Sequence, residues 1–215
     1  MENAVKQPKM LDISFDKPFT IQYADRNNFQ PAIDMAYTMI EEVYHRDLDP
    51  HWDRDLINFA ASYLETPGNA FLQASSSGKI AGILAVRQYD GRIEALRGAY
   101  DPATTAELAR CFILKRARRQ GVAAMLVKEA EHFCRECGFT TLYLHTHRFL
   151  PGALEFWQAM GFQVRLEAKD QLHTVHLEKL IVRLDKQVPW YTNLLGQSGD
   201  STQGQYPTSL DAMDE

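Results

Sequence analysis

Arg110-Cys111-Phe112-Ile113-Leu114-Lys115-Arg116-Ala117-Arg118-Arg119-Gln120-Gly121-Val122-Ala123-Ala124 runs an apolar, strand-like segment, Cys111 to Leu114, into a loop of four cations and one glycine. A helical pattern starts directly behind it. The first turn of a helix carries N–H groups without intrahelical partners and a partial positive charge, so phosphate binds there readily. Gly121 lets an anion approach the backbone closely, Arg118 and Arg119 add forked donors, and the small Ala123 and Ala124 keep the first turn free of bulk. Strand, basic loop and helix in that order read as an anion cradle that a diphosphate would fit. Two other readings compete for these residues: a short nucleic-acid patch, which predicts steep salt dependence, and a solvated basic turn. The cluster is interrupted by apolar residues and sits in a chain of net charge −5.

Three segments together carry a resemblance. Arg118-Arg119-Gln120-Gly121-Val122-Ala123 matches the R/Q-x-x-G-x-G/A signature of the GNAT superfamily, the acyl-CoA-dependent N-acetyltransferases. Upstream, Glu107 to Ile113 (ELARCFI) is similar to the family's Glu-Leu strand. Downstream, Ala153 to Phe162 (ALEFWQAMGF) is similar to its A-x-x-[LF]-Y-x-x-x-G-F segment. The resemblance covers about residues 70 to 183 and thins towards the N-terminus. It implies an α/β, three-layer GNAT-like fold: a twisted, mixed β-sheet of about six to seven strands flanked by helices, opening into a V between the Glu107–Leu114 and Thr140–His147 strands. It also implies that acetyl moves from acetyl-CoA, the acyl-donor substrate, to a primary amine by direct attack in a ternary complex. The rival expectation is an acyl-CoA-binding sensor or scaffold with reduced turnover.

A chain of 215 residues that is 45% hydrophobic is long enough for one domain with a full core. No basic-then-apolar leader follows Met1 and no apolar run nears 18 residues, which predicts a cytoplasmic protein with no membrane partner. Three cysteines cannot all pair; Cys134 and Cys137 fall on a helical pattern and are expected to extend the apolar stripe of Ala123, Leu126, Val127 and Ala130 rather than to serve redox or zinc chemistry. Asp200, Asp211, Asp214 and Glu215 carry four of the net negative charges, so the remainder is nearly neutral.

In order, residues 1–18 form an N-terminal extension, 19–184 the acetyltransferase-like domain and 185–215 a C-terminal tail. Phe19–Tyr23 alternates as a strand, and Gln30–Leu48 places Ile33, Ala36, Tyr37, Ile40, Val43 and Tyr44 at helical spacing. A shorter helix is expected over Asp53–Leu64 with Asp53 as its cap, and His45–Trp52 between the two is irregular. Asn69–Ala74 and Lys79–Tyr89 flank a hairpin turn at Ser75–Gly78. Gly121–Glu136 and Gly152–Met160 are helices ended by Gly138 and Gly161; Thr140–His147, Phe162–Glu167 and Thr174–Leu184 are strands. Gln197–Glu215 lacks the apolar content to offset its ordering entropy and is expected to be disordered, and Pro189–Leu195 is either a tether or a docking segment.

Acyl transfer from a thioester needs a deprotonated amine, a stabilised oxyanion and a released thiolate. Glu107, opening the strand that enters the cradle, is the first candidate base, because the resembled family often uses a carboxylate there; a strand-end structural charge is the competing role. His145 and His147 are further candidates, since imidazole titrates near neutrality. Their spacing also permits a metal, but no third ligand declares itself, and no metal is expected. The resemblance implies that backbone groups of Phe112 and Ile113 serve the oxyanion and the pantetheine arm. It implies that Arg118, Arg119, Gln120, Gly121, Val122, Ala123 and Ala124 hold the diphosphate, with Phe156 and Trp157 on the late helix. Trp157 stands where relatives commonly carry a Tyr acid, Leu150 where many carry an Asn, and Lys115 replaces a common Pro. Tyr143 or His147 would then assist the thiolate, if either faces the cleft. A thiol of pKa near ~8.5 leaves at modest cost. Glu41, Glu42, Asp47, Asp49, Asp53 and Asp55 would favour a cationic amine, an ordinary acidic surface helix being the competing reading, and a homodimer is compatible with the resemblance.

Overall fold

The computed structural model describes residues 18–182. The expectations for the N-terminal extension and for the tail, including Pro189–Leu195, lie outside the described residues. Seven strands form one sheet: β1 (Thr20–Tyr23), β2 (Ala70–Ser76), β3 (Lys79–Gln88), β4 (Thr105–Ile113), β5 (Thr141–His147), β6 (Gln163–Glu167) and β7 (Thr174–Leu180), in the order β1-β2-β3-β4-β5-β7-β6. All neighbours are antiparallel except β4 and β5.

Helices cover both faces. On one side α3 (Val122–Glu136) and α4 (Ala153–Ala159) bury Leu126, Val127, Ala130 and Trp157 against Leu72, Leu84, Leu108, Leu142 and Leu144. On the other, α1 (Gln30–Tyr44) and α2 (Arg54–Ile57) bury Ile33, Met39, Ile40 and Leu56 against Phe71, Ile83 and Ala85. Central strands covered on both faces tend to be apolar throughout, which is why the middle of β3 reads as a continuous hydrophobic run. Among the described residues, no helix is long and apolar enough to cross a membrane.

Helix ends follow the glycines. After α3, the Phe139 N–H reaches the Cys134 carbonyl at 2.9 Å and the Gly138 N–H reaches Arg135 at 3.1 Å, with Gly138 at φ +82°. After α4 the same pair recurs, Phe162 to Trp157 at 3.0 Å and Gly161 to Gln158 at 2.9 Å. These are Schellman closures, each sealed by the aromatic residue that follows its glycine. They place β5 and β6 directly after the helices.

Several expected elements differ. The last strand, expected over Thr174–Leu184, ends at Leu180, with Ile181 and Val182 outside it. The first long helix stops at Tyr44 rather than Leu48, because His45 turns left-handed at φ +51°. Asp53–Leu64 is not one helix: α2 is a single turn, and Ala60–Leu64 is a π turn with Glu65 N–H bonded to the Ala60 carbonyl at 3.0 Å. The wider turn lets Phe59 and Tyr63 both enter the core against Phe71. Asp53 makes no side-chain cap. Its carboxylate is used elsewhere. Finally, Cys134 lies in the apolar stripe but Cys137 is exposed past the helix end.

Gly82 shows how closely β3 and α3 approach. A Cβ there would sit 2.5 Å from Ile113 Cδ1 and 3.1 Å from Val122 Cγ1. Ile113 has a flexible tip, but the β-branched Val122 has little freedom on its helix. Gly82→Ala is expected to destabilise the fold by about 1–2 kcal/mol, as overpacking does, and chemical denaturation checks it.

Candidate active site

β4 and β5 pair only from Thr105–Thr141 to Leu108–Leu144 and then separate. Past that vertex each strand offers an unpaired backbone edge to a cleft of about 2380 Å³. Pockets for a single drug-sized ligand are roughly 300–1,000 Å³, so there is room for two substrates.

A β-bulge shapes the β4 wall. Ala85 lies opposite Ala109 and Ile83 opposite Phe112, so Leu84 faces two residues, Arg110 and Cys111, with Arg110 at φ +53°. The extra residue re-phases the strand: Cys111 and Ile113 turn to the α3 core while Ala109 and Phe112 pack towards α1. The Leu114 N–H bonds to the Ala81 carbonyl of β3 at 3.0 Å. Strand alternation therefore turns the Ile113 N–H and carbonyl towards the cleft and those of Phe112 towards β3. The Ile113 carbonyl accepts from Arg118 Nε at 3.2 Å. Of the two backbones expected at the reaction centre, that of Ile113 is turned to the cleft and that of Phe112 to β3, while both residues line the cleft.

At the end of this wall stands the cradle. Arg118, Arg119, Gly121, Val122, Ala123 and Ala124 line the cleft. Gly121, φ +86°, is the N-cap of α3, and a Cβ built on it meets nothing within 4 Å. Arg119, also left-handed at φ +60°, precedes it by two residues. Helix geometry leaves the Val122, Ala123 and Ala124 N–H groups without intrahelical acceptors. Gln120 points away, donating from Nε2 to the Arg116 carbonyl at 2.8 Å, and does not line the cleft. Leu150, Phe156 and Trp157 also line the cleft.

Behind the vertex, Glu107 is fully buried. Its Oε2 accepts from Arg87 Nε at 2.9 Å and from one Arg92 nitrogen at 2.7 Å; its Oε1 accepts from the other Arg92 nitrogen at 2.6 Å. Burial opposes its charge, but the Arg92 hydrogen bonds and the two guanidinium charges overcome that and hold the carboxyl down at about 2. A carboxylate so held has little affinity for a proton and does not line the cleft. Tyr143 is also buried away from the cleft, its hydroxyl 2.8 Å from His176 Nδ1 and its ring packed on Tyr89 and Tyr100. His145 and His147 do line the cleft. His147 stacks on Phe149, meets the edge of Tyr44 and lies 3.2 Å from Thr174 Oγ1 through Nδ1; burial lowers its pKa. Burial likewise pushes His145 down, to about 4, against the pull of Glu107. Among the described residues, no group of three or more His, Cys, Asp or Glu is placed to hold a metal.

Both shifts make stability pH-dependent in the same direction. Each group binds a proton more weakly in the folded chain than its ordinary value of 6.5 (His) or 4.5 (Glu). The stabilising contributions are therefore complete above the ordinary values and are lost as pH falls, His145's from 6.5 to about 4 and Glu107's from 4.5 to about 2. Thermal melts across that range should show falling Tm in both windows, and Glu107→Gln should flatten the lower one.

Of the acids expected around the acceptor wall, Asp49 and Asp55 line the cleft, and Asp53 and Asp55 are paired with arginines. Asp53 is completely buried and takes Arg46 at 2.5 and 3.1 Å, Arg110 at 2.9 Å and the Asp49 N–H at 2.9 Å. Asp55 takes Arg110 at 2.6 and 3.2 Å and the Tyr63 hydroxyl at 2.5 Å. Two arginines balance two carboxylates, so neither acid is available to a cationic amine. Glu41 and Glu42 are exposed and outside the cleft. Sequence reading missed Arg110, Arg87 and Arg92 because their partners lie on other elements.

The model of the "Acetyltransferase (GNAT) family" matches residues 33–162. The chain belongs to the GNAT acetyltransferase family. Human N-acetyltransferase 8 is 30% identical over 135 residues, covering 57% of this chain and 54% of the relative. The chain thus spans about half the length of the curated relatives it matches. An acetyltransferase of the GNAT family from Staphylococcus aureus Mu50 superposes with a TM-score of 0.61 at 18% identity, over 76% of this chain and 99% of that one. PaiA N-acetyltransferase from Thermoplasma acidophilum, solved in complex with coenzyme A, gives 0.59 at 17% identity over 77% and 100%. At these identities the structures show the fold, and the seven-stranded mixed sheet between helical layers is the GNAT-like fold expected. In this GNAT chain Trp157 is 6% exposed and packs between Phe156 and Phe162. The position of the usual late-helix Tyr is therefore largely a core position here.

Proposed function

We propose that the chain moves acetyl from acetyl-CoA to a primary amine by direct attack in a ternary complex. One observation carries this most: the open edge of β4 runs straight into a left-handed N-cap glycine and an arginine-flanked helix start. A pantetheine arm would extend along that edge with its diphosphate on the Val122–Ala124 N–H groups, between Arg118 and Arg119. The relative solved with coenzyme A supports the choice of donor. At the vertex, the amine lone pair attacks the thioester carbon. The oxyanion forms beside the unpaired edge of β4, where the Ile113 N–H is directed. A thiol of pKa near ~8.5 leaves as thiolate with a hydrogen bond or water to help. Cytoplasmic residence belongs to the same proposal.

Mass detection of N-acetylated product across a panel of primary amines, with acetyl-CoA as donor, tests the reading. At least one amine should gain an acetyl group in an enzyme-dependent way. Tight acetyl-CoA binding with no product from any amine would favour a sensor instead.

A further inference from the structure

His145 is the first β5 residue past the last β4–β5 pair, and Glu107 lies one residue before that pair on β4. The vertex of the cleft thus sets a half-buried imidazole beside a buried carboxylate. Nδ1 of His145 is sealed from solvent without a hydrogen-bond partner, 3.6 Å from Glu107 Oε1. That oxygen accepts one bond, from Arg92, whereas Oε2 accepts two. Oε1 therefore has a lone pair left. A buried Nδ1 next to an ionised carboxylate could be satisfied there only as a donor, which would place the proton on Nδ1 and leave the Nε2 lone pair for the cleft that the ring lines.

We propose that His145 is the proton acceptor of the acyl transfer and Glu107 its positioning residue, acting through Nδ1. This rests on the acetyl-transfer reading above. When the amine attacks, the C–N bond forms and the carbonyl π pair moves to oxygen; the nitrogen, now cationic, is a much stronger acid and gives its proton to Nε2. Collapse breaks the C–S bond with the electron pair on sulfur, and the imidazolium returns its proton to the thiolate. The products are the N-acetyl amine, coenzyme A as thiol and neutral His145. Glu107 stabilises the transient imidazolium, and its bonds to Arg87 and Arg92 keep it from taking the proton itself. Burial lowers the His145 titration, Glu107 from β4 opposes it, and Arg92 from the loop after β3, His147 on its own strand and His176 on β7 add to it; Tyr143 packs on the ring, and Arg87 from β3 reaches it only through Glu107. His147 is less suited, because its Nδ1 faces the Thr174 hydroxyl rather than a charge.

Two measurements on the full chain test this. Nitrogen-15 NMR of histidine-labelled protein reads the tautomer without turnover: the proton of His145 is expected on Nδ1, and its presence on Nε2 would overturn the dyad. Kinetics of His145→Gln and His145→Ala follow. The kcat of either should fall by roughly 10²–10⁴-fold with acetyl-CoA affinity unchanged, and added imidazole should restore part of the His145→Ala rate. Glu107→Gln, if folded, should lower kcat, leave KM for acetyl-CoA in place and shift the acid limb of the kcat profile. A kcat within threefold of wild type in folded His145→Gln would overturn the proposal. If wild type acetylates no amine while the tautomer is as expected, the acetyl-transfer reading has failed, and the proton-acceptor role with it.

Discussion

Gly121→Glu is expected to lower acetyl-CoA affinity at least a hundredfold while the chain stays folded. The φ of +86° is costly for any side chain, about 1–2 kcal/mol, but a Cβ there meets nothing, so no packing is lost. What changes is the field. A carboxylate on the N-cap would face the diphosphate across a few ångströms, and two like charges ~4 Å apart at a partly exposed site repel by about 4 kcal/mol. A hundredfold loss needs only about 2.7 kcal/mol. Arg118→Ala removes one donor and should cost about tenfold. Calorimetric titration of both variants, with circular dichroism to show folding, checks the assignment. Unchanged affinity in a folded Gly121→Glu would put the anion elsewhere.

The second large effect is on stability, at Arg110. Its guanidinium spans Asp53, Asp55 and the Trp52 carbonyl and so ties α2 and the loop before it to the β4 bulge. Arg110→Ala leaves Asp55 buried with only Tyr63 as side-chain partner, and breaking such a pair typically costs ~3–5 kcal/mol. Much of that is the orphaned carboxylate, so Arg110→Leu combined with Asp55→Asn should recover part of the loss. Urea denaturation of the single and double variants gives the comparison. If Arg110→Ala is within 1 kcal/mol of wild type, the network does not hold the wall. The same tie accounts for a left-handed arginine inside a strand: a strained backbone, at roughly 1–2 kcal/mol, persists where surrounding bonds over-determine it.

These two sites mark what the sequence could and could not disclose. The parts of the expected cradle are contiguous: basic loop, glycine and small first turn lie within ten residues, Lys115 to Ala124. The closures at Gly138 and Gly161 and the turn at Ser77–Gly78 were legible, all set by local backbone chemistry. The bulge was not, since Arg110-Cys111-Phe112 carries no glycine and reads as ordinary strand. Glu107 was found as a residue but not as an environment, because Arg87 and Arg92 come from β3 and the loop beyond it. Nor does a count of acids along the chain show that Asp53 and Asp55, two of those around the expected acceptor wall, are matched by Arg46 and Arg110. Tyr143 lies two residues before His145 on β5, yet it is on the buried side of the vertex, a difference that only the splay of β4 from β5 creates.

Initial rates of thiol release, with acetyl-CoA and one accepted amine varied together, test the central claim most directly. Direct attack inside one cleft predicts intersecting double-reciprocal lines and no thiol release without amine. Parallel lines with a burst of thiol in the absence of amine would mean a covalent acetyl-enzyme and contradict it.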